Sequence, residues 1–138
     1  GVDITINSGD SDAVEQILAQ TPHGGADIAF EVVGITPTLK LAVDSIRKGG
    51  ALTLVGNIAA TAELPLQKVV TRELTLYGSC GIQGDYPASL AMLADGRVQV
   101  EPLITSIVPL SDGAEWFHRL YHEKGLLKVI LTPDEASS

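Results

Sequence analysis

The chain has 138 residues, 45% of them hydrophobic and 19% charged, which is enough for one globular domain with a sizeable core. Its net charge of −8 argues against nucleic-acid partners, because phosphate backbones need a basic surface. No apolar run approaches the roughly 20 residues that span a bilayer, Gly1-Val2-Asp3 lacks signal-peptide character, and the lone Cys80 excludes an internal disulfide. These features predict a cytoplasmic chain with neither nucleic-acid nor membrane partners. The missing initiator Met is what a piece of a longer protein would show.

Short β-rich runs alternate with helical patterns, the signature of an α/β fold with a mainly parallel sheet. Asp3 to Asn7 reads as a strand. A helix follows, with Asp12 and Glu15 in capping-box relation and Val14, Ile17 and Leu18 on one face. Ala26 to Val33 gives a second strand, ending at Gly34. Thr36-Pro37 starts a helix whose stripe is Leu39, Ala42, Val43 and Ile46, and Gly49-Gly50 should end it. Ala51 to Val55 is a third strand, Leu66 to Val70 a helical turn, and Leu74 to Tyr77 a fourth strand ending at Gly78. Asp85 begins a helix carrying Leu90 and Leu93, closed by Asp95-Gly96. Ile104 to Val108 reads as an edge strand. Ser111 caps a last helix with an inner face of Ala114, Phe117, Leu120 and Tyr121, and Leu127 to Leu131 returns as a strand. The tail, 134–138, is expected to fray.

Two turns carry the chemistry: Glu31-Val32-Val33-Gly34 and Leu54-Val55-Gly56-Asn57. Each ends an apolar strand in glycine. In open parallel sheets ligands bind beyond the carboxyl ends of the strands, where glycine lets a flat cofactor approach the backbone. Glycine also ends strands for turn geometry alone, and a single such turn favours that reading. Two of them, separated by a capped helix, strengthen the case for a ligand. No nucleophile elbow, Walker loop or complete G-x-G-x-x-G is present, so no catalytic residue is assigned. His118 and His122 stand four apart on a helix with nothing to complete a metal site, and read as solvated together with His23. Trp116, Phe117 and Tyr121 read as core or subunit-contact residues. Cys80 reads as a small buried apolar residue.

The run from Gly25 through Phe30-Glu31-Val32-Val33-Gly34 to Gly49-Gly50 and Leu54-Val55-Gly56 resembles zinc-dependent alcohol and polyol dehydrogenases of the medium-chain superfamily. So do Val100-Glu101-Pro102-Leu103-Ile104-Thr105, Pro109-Leu110 and the closing Gly125 to Leu131. The likeness covers Gly1 to Pro133, and its last third is most similar to the sorbitol dehydrogenase group. It implies a partial Rossmann-type domain over 1–133, doubly wound and lacking its first two strands. It also implies hydride transfer between a secondary alcohol and NAD or NADP, NAD being favoured. A zinc ion would serve as Lewis acid in the parent enzyme, with no metal ligand in this chain.

Carried over by position, Val32, Val33 and Gly34 would lie along the nicotinamide ribose, and Val55, Gly56 and Asn57 would meet the nicotinamide end. Ser79 and Cys80 would stand near the carboxamide, and Lys128 would meet the pyrophosphate. Such a piece would supply the nicotinamide-side wall and subunit interface of an enzyme acting on a small alcohol or polyol, without turnover of its own. Two alternatives share this sequence: a zinc-free quinone-oxidoreductase type, and a non-catalytic dimerisation module. Two expectations concern sheet edges. The strand at Asp3 to Asn7 should close up beside that at Ala26, unless a partner chain fills the gap. Ile104 to Val108 should pair across a two-fold axis in a homodimer or homotetramer.

Overall fold

In chain order the elements are α1 (Ala13–Ala19), β1 (Ala26–Glu31), α2 (Thr36–Ser45), β2 (Ile46–Leu54), α3 (Leu66–Thr71), β3 (Thr75–Gly78), α4 (Tyr86–Ala94), β4 (Ile104–Pro109), α5 (Gly113–His122) and β5 (Lys128–Thr132). They come from a computed structural model that describes residues 2–133. The chain divides into two compact units, 1–81 and 82–138. The first holds a parallel sheet in the order β1-β2-β3, the second a parallel pair of β4 and β5. The α/β class with parallel pairing follows from the alternation of elements, as expected. The expected tail at 134–138 lies outside the described residues.

In the first unit the core follows from the helical stripe on α2. Leu39 and Val43 are buried against Ile46 and Leu52, with Ala29, Leu54, Val69, Leu74 and Leu76 closing around them. Burying each such aliphatic side chain contributes roughly 1.5–3 kcal/mol. The inward residues of the strands alternate with outward ones. Phe30, Thr53 and Tyr77 stand side by side in register on the opposite face of the sheet. Phe30 and Ile28 are 68% and 59% exposed there, so the strand expected to be covered on both faces is covered on one.

Several expectations are corrected. Asp3 to Asn7 is not a strand and has no ladder partner. The Asn7 side chain accepts from Gly9 N at 3.1 Å and donates to Asp10 Oδ1 at 2.9 Å, so local turn bonds replace a ladder. Among the described residues the outer edge of β1 therefore has no strand beside it, and closure within the chain does not occur. The Asp12–Glu15 box does not form either. Asp12 takes the N-cap position without a cap bond, and its carboxylate accepts from Gln16 Nε2 at 3.0 Å instead. Thr36 is the first residue of α2 rather than its cap, and its hydroxyl accepts from Glu63 N at 3.0 Å.

α2 ends at Ser45 with Ile46 as its C-cap, short of Gly49-Gly50. The Arg72 guanidinium donates to the carbonyls of Val43 and Ile46, satisfying the open helix end while the chain turns directly into β2. The two glycines serve a bulge: Ala26 pairs with Ile46 but Ile28 pairs with Ala51. A side chain at Gly50 would strike Ile46 and the carbonyl of Asp27.

In the second unit β4 and β5 run parallel, with Ile104 opposite Lys128 and Val108 opposite Leu131. The N-cap position of α5 falls on Asp112, one residue beyond Ser111. Its inner face differs from expectation. Gly113 is buried against Leu131 and Trp116 is half-buried, whereas Phe117 and Tyr121 are 71% and 85% exposed. Trp116 carries the Arg119 guanidinium 4.0 Å above its ring, and Arg119 in turn grips Glu123 at 2.9 Å. The histidines of α5 are exposed, with the His118 and His122 rings 4.3 Å apart.

Candidate functional site

The carboxyl ends of β1, β2 and β3 lie side by side, and the backbone that follows them forms the walls of the site. Leu54 pairs with Gly78, and the ladder extends one step further as Ser79 N donates to the Leu54 carbonyl at 2.9 Å. Beyond this point the two chains splay into an open cleft of about 540 Å³, lined by Leu54, Val55, Gly56, Asn57, Gly78, Ser79, Cys80 and Gly81. That volume is in the range that holds a small-molecule ligand. Five of the nine residues singled out from sequence line it: Val55, Gly56, Asn57, Ser79 and Cys80. Cys80 is exposed here rather than buried, because β3 ends at Gly78 and the following loop runs along the open end of the sheet.

Gly34 stands behind this cleft and meets Gly56 on its wall. The turns after β1 and β2 are stitched together by backbone bonds: Val55 N and Gly56 N donate to the Glu31 carbonyl at 2.8 and 3.0 Å. Ile58 N and Ala59 N donate to Val33 and Gly34 at 3.3 and 3.0 Å. The approach is so close that a Cβ on either glycine would fall under 3.0 Å from backbone atoms of the other turn. Gly34 also has φ +83, in the left-handed region. The glycines are needed for turn-to-turn contact, with the cleft formed in front of it. Val33 is half-buried, whereas Val32 is 65% exposed on the open face of the sheet.

The residue that holds this arrangement is Glu31, which sequence reasoning quoted only as part of a motif. Its side chain is buried at 4% exposure. One carboxylate oxygen accepts from Val33 N at 3.0 Å, Gly34 N at 2.9 Å and the Thr38 hydroxyl at 2.7 Å, and the other from Gly34 N at 2.9 Å. Burial pushes this carboxyl up, but the donors from Gly34, Thr38 and Val33 outweigh it and hold the group below the ordinary glutamate range. The signal available in the sequence was a carboxylate ending an apolar strand directly before a glycine turn.

Lys128 belongs to the second unit. It is the first residue of β5, is exposed, and lines an apolar cleft of about 410 Å³ with Val100, Leu103, Ile104, Leu127 and Ile130. Among the described residues no three His, Cys, Asp or Glu side chains stand together as a metal site. The cleft of the first unit lies outside the carboxyl ends of parallel strands, and a Cβ at Gly78 or Gly81 would meet nothing within 4 Å. No helix among the described residues is long and apolar enough to cross a membrane.

Comparison with known proteins places this geometry in context. Residues 1–95 match the zinc-binding dehydrogenase family. The chain is 30% identical over 132 residues to an (R,R)-butanediol dehydrogenase and 32% identical over 132 residues to a sorbitol dehydrogenase, both of Bacillus subtilis. These matches take in 95% and 94% of the chain but only 38% and 37% of the relatives' own lengths. A crystal structure of 2R,3R-butanediol dehydrogenase from Bacillus subtilis superposes with a TM-score of 0.81 at 31% identity, covering 92% of this chain and 37% of that one. An alcohol dehydrogenase from Thermus sp. ATN1 superposes with a TM-score of 0.80 at 30% identity, covering 95% of this chain and 39% of that one.

Proposed function

Because the chain belongs to the zinc-binding dehydrogenase family, we propose that it forms the nicotinamide-side cofactor wall of an NAD(P)-dependent alcohol or polyol dehydrogenase. The observation that carries the reading is the convergence of Val55, Gly56, Asn57, Ser79 and Cys80 on one cleft at the carboxyl ends of β2 and β3. The dinucleotide, when bound, supplies the hydride acceptor for a secondary alcohol. The chain's part is to hold the nicotinamide end in one orientation: the turn at 55–57 forms one wall, and the loop at 79–81 the other. Val32, Val33 and Gly34 flank the ribose side, and Lys128 meets the pyrophosphate.

The cofactor is NAD or NADP, with NAD the form to titrate first. Similarity to sorbitol and butanediol dehydrogenases supports a small alcohol or polyol substrate over the zinc-free quinone-oxidoreductase type. Assembly into a homodimer or homotetramer through the outer edge of β4 belongs to the same proposal, since no strand pairs with that edge among the described residues. So does a cytoplasmic location.

The test is Ser79→Trp in the enzyme carrying this chain. An indole at this exposed position fills the cleft between its two walls and leaves the backbone bonds behind the 55–57 turn in place. The cofactor KM should rise at least about ten-fold, the loss of roughly 1.4 kcal/mol of binding. An unchanged cofactor KM would remove the cleft from the cofactor site. Two further outcomes follow. The 138-residue chain lacks any glycine-rich pyrophosphate cradle of the G-x-G-x-x-G type, so NAD should bind it with less than about 4 kcal/mol, weaker than millimolar. Micromolar affinity by calorimetry would contradict this. Lys128→Ala should raise the cofactor KM of the enzyme about ten-fold with a smaller effect on kcat, as loss of one charge-assisted contact implies. A KM that stays put would leave Lys128 as a solvated surface lysine.

A further inference from the structure

Glu31 lies behind the cleft rather than in it, yet one of the cleft's two walls, the 55–57 turn, depends on it. Its main-chain carbonyl accepts from Val55 N and Gly56 N, the first residues of one wall. Its carboxylate accepts from Val33 N, Gly34 N and the Thr38 hydroxyl, fixing the turn against which Gly56 and Asn57 rest. No lysine or arginine takes part in these carboxylate bonds: the donors are two backbone N–H groups and one hydroxyl. A charged acceptor binding neutral donors in a buried place fixes geometry more tightly than a neutral acceptor would.

We infer that Glu31 is a positioning residue: it sets the relative placement of the 31–34 and 55–57 turns and so the orientation of the nicotinamide ring in the cleft. The inference rests on the reading of that cleft as the nicotinamide site. A glutamine in its place keeps the size and loses the match. Its amide has one acceptor oxygen, and its NH2 would point donors at donors. Thr38→Val is the milder partner. It removes one donor to Oε1 and leaves the charge and the backbone bonds in place.

The experiment is an amide-shift titration of the 138-residue chain with nicotinamide mononucleotide, in the unsubstituted form, Glu31→Gln and Thr38→Val. In the unsubstituted chain, shifts should grow with ligand at 55–57 and 79–81. The initial slope of those shifts should fall about ten-fold in Glu31→Gln and about three-fold in Thr38→Val, while amides of β2 at 51–53 and of α3, in the same unit as Glu31, keep their positions, a pattern that a loss of stability alone would not give. Should Glu31→Gln fail to fold, Thr38→Val carries the decision. Slopes unchanged in the folded variants overturn the positioning role and leave the nicotinamide reading intact. No shifts at 55–57 and 79–81 in the unsubstituted chain overturn that reading, and the inference with it.

Discussion

Replacing Gly56 by alanine should cost the chain about 3 kcal/mol of stability, near the upper end of what overpacking does in a rigid interior. The Cβ would come under 3.0 Å from backbone atoms of Val33 and Gly34, and these cannot swing aside as the tip of a side chain would. Relief requires the two turns to part, and parting them breaks the bonds from Val55 N, Gly56 N, Ile58 N and Ala59 N. Gly34→Ala should behave alike, with the added strain of a φ of +83. Gly78→Ala is the matched control. Its Cβ meets nothing within 4 Å, so its effect on urea unfolding should stay within about 0.5 kcal/mol. Equal midpoints for Gly56→Ala and Gly78→Ala would show that the close approach of the turns does not hold in solution.

The second large effect is on the acid limb of stability. Burial raises the Glu31 carboxyl, the Gly34, Thr38 and Val33 donors lower it more, and its folded value lies below the ordinary 4.5. A group depressed on folding binds fewer protons in the native than in the unfolded state near that pH. Its contribution is therefore complete above the unfolded value and is lost as pH falls through the folded one. Glu31→Gln should destabilise by roughly 2–3 kcal/mol near neutral pH, the scale of hydrogen bonds to a charged, buried group. The gap between the two proteins should narrow steadily below about pH 4.5, as the native glutamate itself takes up a proton. Urea midpoints measured from neutral pH down into this range check the sign. A gap that widens on acidification would mean that the carboxylate is not the form that holds the turns.

Much of this architecture was legible because local and tertiary preferences agree. Ala26–Glu31, β4 and β5 form as strands where their runs are apolar, and the stripe Leu39, Ala42, Val43 and Ile46 packs into the core of the first unit. The failures have particular causes. The stop of α2 is set by Arg72, 26 residues beyond Ile46 in sequence, and no window around Gly49-Gly50 contains that information. Asp3 to Asn7 has strand-like composition, but no neighbouring strand is present among the described residues to repay extension. The cleft's lining was half visible. Glycines ending strands pointed to Val55 through Asn57, whereas the role of Glu31 depends on where two backbone N–H groups and a hydroxyl seven residues on happen to point. The inner face of α5 was misjudged because Gly113, which has no side chain, is what packs against Leu131.

On the proposed function, the cleft between the 55–57 turn and the 79–81 loop holds the nicotinamide end of a dinucleotide. A crystal structure of the whole dehydrogenase with NAD bound tests it most directly. The nicotinamide ring is expected between Val55-Gly56-Asn57 and Ser79-Cys80, with the Glu31 carboxylate still bonded to Val33 N and Gly34 N behind it. A nicotinamide seated elsewhere, with this cleft filled only by solvent, would contradict it.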